Sequence, residues 1–158
     1  KERGYSFVCN FVGGETAEID AARFAEEVEK RGLNDMAVYL GKKYGAEKNE
    51  EYRKSDIFIF PTLNEAFGLV LLEAMEHALP CIAADEGGIS EIVDEGETGF
   101  IVSKRNANIL ADKIEYLLIH PEERMRMGKN GYRKFNDKFT LRKFEESMAD
   151  ILNDCLKG

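Results

Sequence analysis

The sequence predicts an α/β fold in which a parallel sheet is covered by helices on both faces and followed by a helical tail. Short apolar segments alternate with helical patterns over about the first 100 residues. These segments are almost continuously apolar, which is typical of parallel strands buried on both faces. The lengths between them suffice for the crossover connections that parallel strands need. From residue 106 onward the pattern is helical only.

Five segments are predicted as strands. Each is short and apolar, and several end at a glycine or a proline, which are residues typical of turns. The predicted strands are 5–12, 36–40, 57–60, 80–84 and 99–102. The first is followed by Gly13-Gly14, but no G-x-G-x-x-G fingerprint is present, so this pair is only a weak indication of phosphate binding.

Helical spacing of apolar residues predicts the connections and the tail. One pattern covers 19–28 and ends near Gly32, and the charged stretch 42–54 is predicted as a surface helix. The further predicted helices cover 67–78, 89–93, 109–118, 122–135 and 140–152. Thr140 is the predicted N-cap of the last one.

Length, charge and cysteine content set broad limits. A chain of 158 residues predicts one domain that can bury a core without metals or disulfides. The net charge of −8 argues against a general nucleic-acid or anionic-membrane binder. No apolar run approaches the roughly 20 residues that span a bilayer. The three cysteines form no Cys-x-x-Cys or Cys/His cluster, which predicts a reduced, cytoplasmic chain without a metal site.

The segment 61–75, PTLNEAFGLVLLEAM, is the most informative part of the chain for function. Glu65 follows a predicted strand and precedes a predicted helix, which places it at the sheet edge where α/β proteins bind ligands. The N–H groups of residues 66–69 suit an anion such as a phosphate, and Gly68 allows a close approach of the backbone. The alternative interpretation makes Glu65 an ordinary first-turn acid that the helix dipole stabilises.

Glu73 lies two turns further along the same predicted helix. Helical spacing puts it opposite the apolar face, so a solvated side chain is one interpretation. The other is a carboxylate that accepts two hydrogen bonds from a sugar diol. Gly87-Gly88, between a strand and a helix, is either a second anion cradle or an ordinary turn.

Several short motifs follow one another in a fixed order. They are Glu65-x7-Glu73, LPCIA at 79–83, GG at 87–88, EIV at 91–93, GETGFIV at 96–102 and HPEER at 120–124. Together they resemble the C-terminal domain of retaining GT-B glycosyltransferases, most closely the group 1 family, also called family 4. The resemblance covers nearly the whole chain and implies a Rossmann-like parallel sheet sandwiched by helices.

The resemblance also implies an activity. Members transfer a sugar from a nucleotide-sugar donor, often a UDP- or GDP-sugar, to an acceptor with retention of the anomeric configuration. Glu65 matches the catalytic glutamate beside the donor sugar, and Glu73 matches the glutamate that binds the ribose hydroxyls. The other expected donor-binding positions are Asn64, Ala66, Phe67, Gly68, Leu69, Val70, Gly87 and Gly88. No metal ion and no cofactor are expected, because helix N-termini and basic side chains neutralise the diphosphate in this family.

The chain departs from the family pattern in two respects. Members usually carry a Gly-Arg segment and a nearby Lys on the first strand-loop-helix unit, whereas this chain opens at what resembles the second strand. The resemblance also leads us to expect that these residues do not include the acceptor-binding N-terminal domain. We therefore expect residues 1–158 to be one partial donor-binding domain, inactive alone, from an enzyme of polysaccharide biosynthesis. That enzyme is expected to be cytoplasmic or membrane-peripheral through its N-terminal domain. An open sheet edge would favour self-association.

Two other functions stay open. The chain could be a non-catalytic interaction module with a Rossmann-like fold, a hypothesis that the missing basic unit favours. It could also be part of a sugar-nucleotide epimerase of the same architecture, although the Glu-x7-Glu series favours transfer. The donor base, the donor sugar and the acceptor are not identified by the sequence.

Overall fold

The computed structural model describes residues 4–157, which contain five strands and seven helices. The strands are β1 (Cys9–Val12), β2 (Ala37–Gly41), β3 (Phe58–Phe60), β4 (Cys81–Ala84) and β5 (Gly99–Val102). The helices are α1 (Ala21–Lys30), α2 (Gly45–Lys54), α3 (Leu69–Glu76), α4 (Ile89–Ile92), α5 (Ala107–Ile119), α6 (Pro121–Lys138) and α7 (Leu141–Lys157). The chain divides into two compact units, residues 1–50 and 51–158. That both units belong to one partial donor-binding domain stays a prediction.

The first unit contains a parallel strand pair, β1 with β2, and helix α1 connects them. Asp20 caps α1, because its carboxylate accepts a hydrogen bond from the Arg23 amide at 2.8 Å. Phe24 on α1 packs edge-on against Phe11 of β1, with 4.9 Å between the ring centroids. Phe11 nevertheless stays 45% exposed, and none of the residues of α1 is buried.

The second unit contains a three-stranded parallel sheet in the order β3-β4-β5. All four residues of the central strand β4 are buried. Cys81 and Ala83 of this strand share one hydrophobic cluster with α3, whereas Ile82 lies in a second cluster with Leu117 of α5 and Met127 of α6. Apolar cores on both faces confirm the predicted covered parallel sheet for this unit.

Most predicted elements are present with shifted ends. The strand over 99–102 is confirmed with the same bounds, and Thr140 caps α7 by accepting a hydrogen bond from the Lys143 amide at 3.3 Å. The charged stretch 42–54 forms α2, in which Tyr52 is buried.

Two features of the predicted sheet are wrong in detail. The first predicted strand, 5–12, pairs with β2 only over Cys9–Val12, and its side chains are half-buried or exposed. The five strands also pair as two parallel sheets, not as the single sheet predicted. Apolar periodicity identifies strands, but it does not state which of them are neighbours.

Within residues 4–157, every helix is either too short or too polar to cross a membrane.

Candidate functional site

The turn between β3 and α3 places the Glu65 carboxylate against the backbone. Oε1 of Glu65 accepts hydrogen bonds from the amides of Ala66, Phe67 and Gly68 at 3.0, 3.2 and 3.1 Å. These amides lie immediately before α3, so the carboxylate has the role that an N-cap side chain has in other helices. Three of the amides predicted to meet a phosphate are therefore engaged by the chain's own carboxylate.

Gly68 has a backbone reason for being glycine. Its φ of +98° lies in the left-handed region, which side chains disfavour. A Cβ at this position would also stand 3.0 Å from Leu71 Cδ1. The helix predicted to begin near Phe67 begins at Leu69 because Gly68 reverses the backbone before it. The conformation of the turn therefore explains this glycine without a ligand.

The loop that follows β4 packs on the same turn. Gly87 has a φ of +52°, and a Cβ there would stand 2.2 Å from the Glu65 carbonyl oxygen. The Gly88 amide donates a hydrogen bond to the Ala66 carbonyl at 3.0 Å. Because β3 and β4 are parallel neighbours, both loops leave the carboxyl edge of the sheet. The structure thus brings the predicted glycine pair to the predicted glutamate, and the Gly88 N–H is used within the protein.

Glu73, on α3, contacts a tyrosine that is distant in sequence. The Tyr52 hydroxyl donates a hydrogen bond to Glu73 Oε2 at 2.9 Å. Tyr52 is only 8% exposed, and its ring lies 5.2 Å from the His77 ring and 5.6 Å from the Phe58 ring, measured between centroids. Glu73 is half-buried and hydrogen-bonded, so it is not the ordinary solvated side chain that helical spacing allows.

The sequence interpretation missed Tyr52. It lies in the charged stretch that periodicity assigned to a surface helix, where Tyr44 is the other aromatic residue. The available signal was an aromatic residue among charges, but Tyr44 gives the same signal and is 72% exposed. Sequence position alone therefore does not distinguish the buried tyrosine from the exposed one.

Burial also sets the protonation of two groups in this unit. Burial, together with the hydrogen bond to Glu73, raises the pKa of Tyr52 above its ordinary value, so the hydroxyl keeps its proton and acts as a donor. Burial likewise raises the pKa of the Cys81 thiol to about 12. Cys81 is consequently a packing residue, because a reactive cysteine needs an accessible thiolate.

The remaining predicted positions surround the turn. Asn64 and Phe67 are exposed, and the Asn64 carbonyl accepts a hydrogen bond from the Thr62 hydroxyl at 3.2 Å. Leu69 is exposed at the first turn of α3, and Val70 is half-buried. Over residues 4–157, no group of three or more His, Cys, Asp or Glu side chains is arranged to hold a metal ion.

A cleft of about 320 Å³ lies at the same carboxyl edge. Residues from the loops after β3 and β5 line it, including Leu63, Lys104 and Arg105. Neither Glu65 nor Glu73 is among its lining residues. The cleft therefore lies at the same edge of the sheet as the Glu65 turn but contains neither carboxylate.

Comparison with known families decides where the chain belongs. The family model for group 1 glycosyl transferases matches residues 1–134. The chain belongs to this family. The D-inositol 3-phosphate glycosyltransferase of Corynebacterium glutamicum (strain R) is 37% identical over 150 residues, which are 94% of this chain and 35% of that protein. The capsular polysaccharide biosynthesis glycosyltransferase CapM of Staphylococcus aureus is 36% identical over 106 residues, covering 67% of this chain and 28% of CapM. The chain thus spans about a third or less of these group 1 relatives.

Solved structures share the fold of this group 1 chain. HepE of Anabaena, solved in complex with UDP, matches with a TM-score of 0.85 and 22% identity over 94% of this chain and 41% of HepE. The sucrose-phosphate synthase of Thermosynechococcus elongatus matches with a TM-score of 0.79 and 28% identity over 94% of this chain and 38% of that enzyme. These likenesses confirm the α/β fold of the GT-B type that the motifs predict.

Proposed function

We propose that these residues form the donor-binding part of a retaining glycosyltransferase that uses a nucleotide-sugar donor. One observation carries the proposal: the turn and helix after β3 carry two carboxylates, and hydrogen bonds hold both of them. Glu65 is held by three backbone amides, and Glu73 is held by the Tyr52 hydroxyl. Fixed acceptors beside the carboxyl edge of a parallel sheet suit the hydroxyl groups of a sugar nucleotide. Membership of the group 1 family supports the same reaction.

The two glutamates have different proposed roles. Glu65 lies beside the donor sugar as the catalytic glutamate, and Glu73 accepts hydrogen bonds from the ribose hydroxyls. Because each carboxylate is already oriented, less side-chain freedom is lost when the donor binds. The proposed contacts from the surrounding loops are Asn64, Ala66, Phe67, Gly68, Leu69, Val70, Gly87 and Gly88.

The donor class is supported by the neighbours in fold. HepE is described in complex with UDP and with UDP-glucose, so a uridine nucleotide is the first donor to test. We propose that basic side chains and backbone N–H groups neutralise the diphosphate, without a metal ion or cofactor. Glu65 already accepts hydrogen bonds from the amides of residues 66–68, so other hydrogen-bond donors must contact the diphosphate.

The setting of the reaction is also a proposal. The name of CapM supports a role in polysaccharide biosynthesis, and a cytoplasmic location stays a prediction. We expect the 158 residues to be inactive alone, because the acceptor would bind elsewhere in a longer protein. Self-association through an open sheet edge stays a prediction as well.

Calorimetric titration with UDP and GDP tests the donor-binding proposal. We expect the wild-type chain to bind one of them, and Glu73→Ala to weaken that binding by at least about tenfold, or about 1.4 kcal/mol. The matched control is Glu76→Ala, because Glu76 is an exposed acid on the same helix. The proposal is wrong if wild type binds neither nucleotide, or if the two variants bind equally well.

A further inference from the structure

We propose that Tyr52 is a positioning residue for the donor: its hydroxyl orients the Glu73 carboxylate toward the ribose diol. This inference rests on the proposed function and adds a residue that acts through Glu73. The contact that carries it is the 2.9 Å hydrogen bond from the Tyr52 hydroxyl to Glu73 Oε2.

The tyrosine is itself rigidly held, which a positioning residue requires. Its side chain is buried, and its ring packs against those of Phe58 and His77. Both partner rings lie within 6 Å of the Tyr52 ring, at 5.6 and 5.2 Å between centroids. Close packing of this kind fixes the ring. From this position the hydroxyl reaches two acceptors, Glu73 Oε2 at 2.9 Å and the Val70 carbonyl at 3.5 Å, and the shorter contact is the one to Glu73. The Glu73 carboxylate therefore meets its hydrogen-bond donor, the Tyr52 hydroxyl, at a fixed place.

The backbone of Glu73 is tied to the same aromatic pair. His77 Nδ1 lies 2.8 Å from the Glu73 carbonyl oxygen, and because a carbonyl only accepts, this ring nitrogen carries the proton. The His77 ring in turn stacks on the Tyr52 ring, with 24° between their planes. Tyr52 thus contacts the Glu73 carboxylate directly, and it is linked to the Glu73 main chain through the His77 ring.

An oriented carboxylate matters for a diol. A glutamate has three side-chain torsions, and an exposed one samples many rotamers whose loss opposes binding. The hydrogen bond from Tyr52 uses one of about four acceptor positions of a carboxylate, which is compatible with two further bonds from ribose hydroxyls. The hydroxyl is a neutral donor at physiological pH, as in an ordinary tyrosine, and burial raises its pKa further.

The test compares the effect of Tyr52→Phe on two nucleotides. This variant keeps the packed ring and removes only the hydroxyl. We expect UDP to bind about three- to tenfold more weakly, which is the net worth of one hydrogen bond. Binding of 2′,3′-dideoxy-UDP should change by less than about twofold. That nucleotide has no ribose hydroxyls from which Glu73 could accept hydrogen bonds. If GDP is the nucleotide that wild type binds, the corresponding guanosine pair is used.

Tyr116→Phe is the matched control, because Tyr116 is a half-buried tyrosine that packs on Phe100 in the same unit. It should leave both affinities unchanged. A merely structural role of Tyr52 predicts equal losses for UDP and its dideoxy analogue, and that result overturns the proposal, as does no loss for either. If wild type binds neither UDP nor GDP, the donor-binding proposal fails first and this inference fails with it.

A thermodynamic cycle tells these failures apart. The free energy of unfolding is measured for wild type, Tyr52→Phe, Glu73→Gln and the double variant. One outcome is that the cycle shows an interaction between the two side chains, while Tyr52→Phe leaves the preference for UDP over dideoxy-UDP as it is in wild type. In that case the contact is only structural, and the positioning role is overturned. No interaction in the cycle overturns the contact itself.

Discussion

The two glutamates of the site are held in opposite ways. Glu65 is held by the amides of the three residues that follow it. Glu73 is held by Tyr52, which lies 21 positions earlier in the chain. The first arrangement is local and depends on a turn, whereas the second requires that two helices pack together. This difference teaches which part of a site the neighbouring sequence encodes and which part only the fold creates.

The local arrangement nevertheless depends on one close contact from the next loop. Gly87 lies where any side chain would collide with the carbonyl oxygens of Glu65 and Ala66. The turn that carries the Glu65 carboxylate is therefore packed against a residue 22 positions later in the chain. Changing Gly87 is the most direct way to break the arrangement.

We expect the largest effect on stability from Gly87→Ala. The new Cβ would stand 2.2 Å from the Glu65 carbonyl oxygen, and the residue has a φ of +52°. Left-handed strain and overpacking together should lower the free energy of unfolding by about 2 to 4 kcal/mol. Urea denaturation measures this loss.

Gly96→Ala separates the two causes. Gly96 also has a positive φ, of +75°, but no atom lies within 4 Å of the position that a Cβ would take. This variant should lose only the strain component, about 1 to 2 kcal/mol. Equal losses for the two variants would mean that the contact with the Glu65 turn adds nothing.

A smaller effect is expected from Glu65 itself. Glu65→Ala removes the acceptor for three amides and should lower the free energy of unfolding by about 0.5 to 2 kcal/mol, as loss of a helix cap does. Glu65→Gln keeps an oxygen that can accept the same bonds, so it should lose clearly less. Urea denaturation of both variants at neutral pH measures the difference. If the glutamine variant loses as much as the alanine variant, the charge at the helix start matters more than the acceptor.

The sequence predicts the fold class because continuous apolar runs and helical spacing are properties of consecutive residues. It predicts the ends of elements less well, since the start of α3 depends on the φ of Gly68. The pairing of strands into two sheets depends on neighbours that periodicity does not identify. The same holds for burial: β4 is fully buried as predicted, whereas β1, which carries Asn10 among its apolar residues, is largely exposed.

The candidate site divides along the same line. Glu65 could be placed at the sheet edge from the strand, proline and helix around it, and the structure puts it in the turn after β3. The sequence did not predict that the Glu65 carboxylate accepts hydrogen bonds from the amides expected to bind a phosphate. An acidic side chain beside a helix start can point toward solvent as well as back toward the amides. The partner of Glu73 could not be predicted, because nothing near Tyr52 in sequence separates it from Tyr44.

Arg126 on α6 extends the comparison, because it has both a local and a distant partner. Its guanidinium donates to Glu123 Oε2 at 2.8 Å, three residues away, and to the Gly96 carbonyl at 2.7 Å, thirty residues away. A third bond reaches Glu97 Oε2 at 2.9 Å. The hydrogen bond from Arg126 holds the pKa of Glu123 below its usual value, so the local partner titrates in acid. The Gly96 carbonyl does not titrate.

We expect Arg126→Gln and Glu123→Gln to respond differently to pH. Their effects should be the smallest of all, because both groups are only half-buried and water screens the ion pair. A lowered carboxyl pKa contributes stability above the unfolded value, which is about 4.5, and that stability is lost as pH falls through the folded value. The difference between wild type and Glu123→Gln should therefore disappear in acid. The difference for Arg126→Gln should shrink but persist, because its bond to the Gly96 carbonyl remains.

Urea denaturation from about pH 7 down to about pH 3 measures both differences. Arg133→Gln, an exposed arginine of the same helix, controls for the change in net charge. If both differences vanish together, the distant contact contributes nothing and the local ion pair accounts for the whole effect of Arg126.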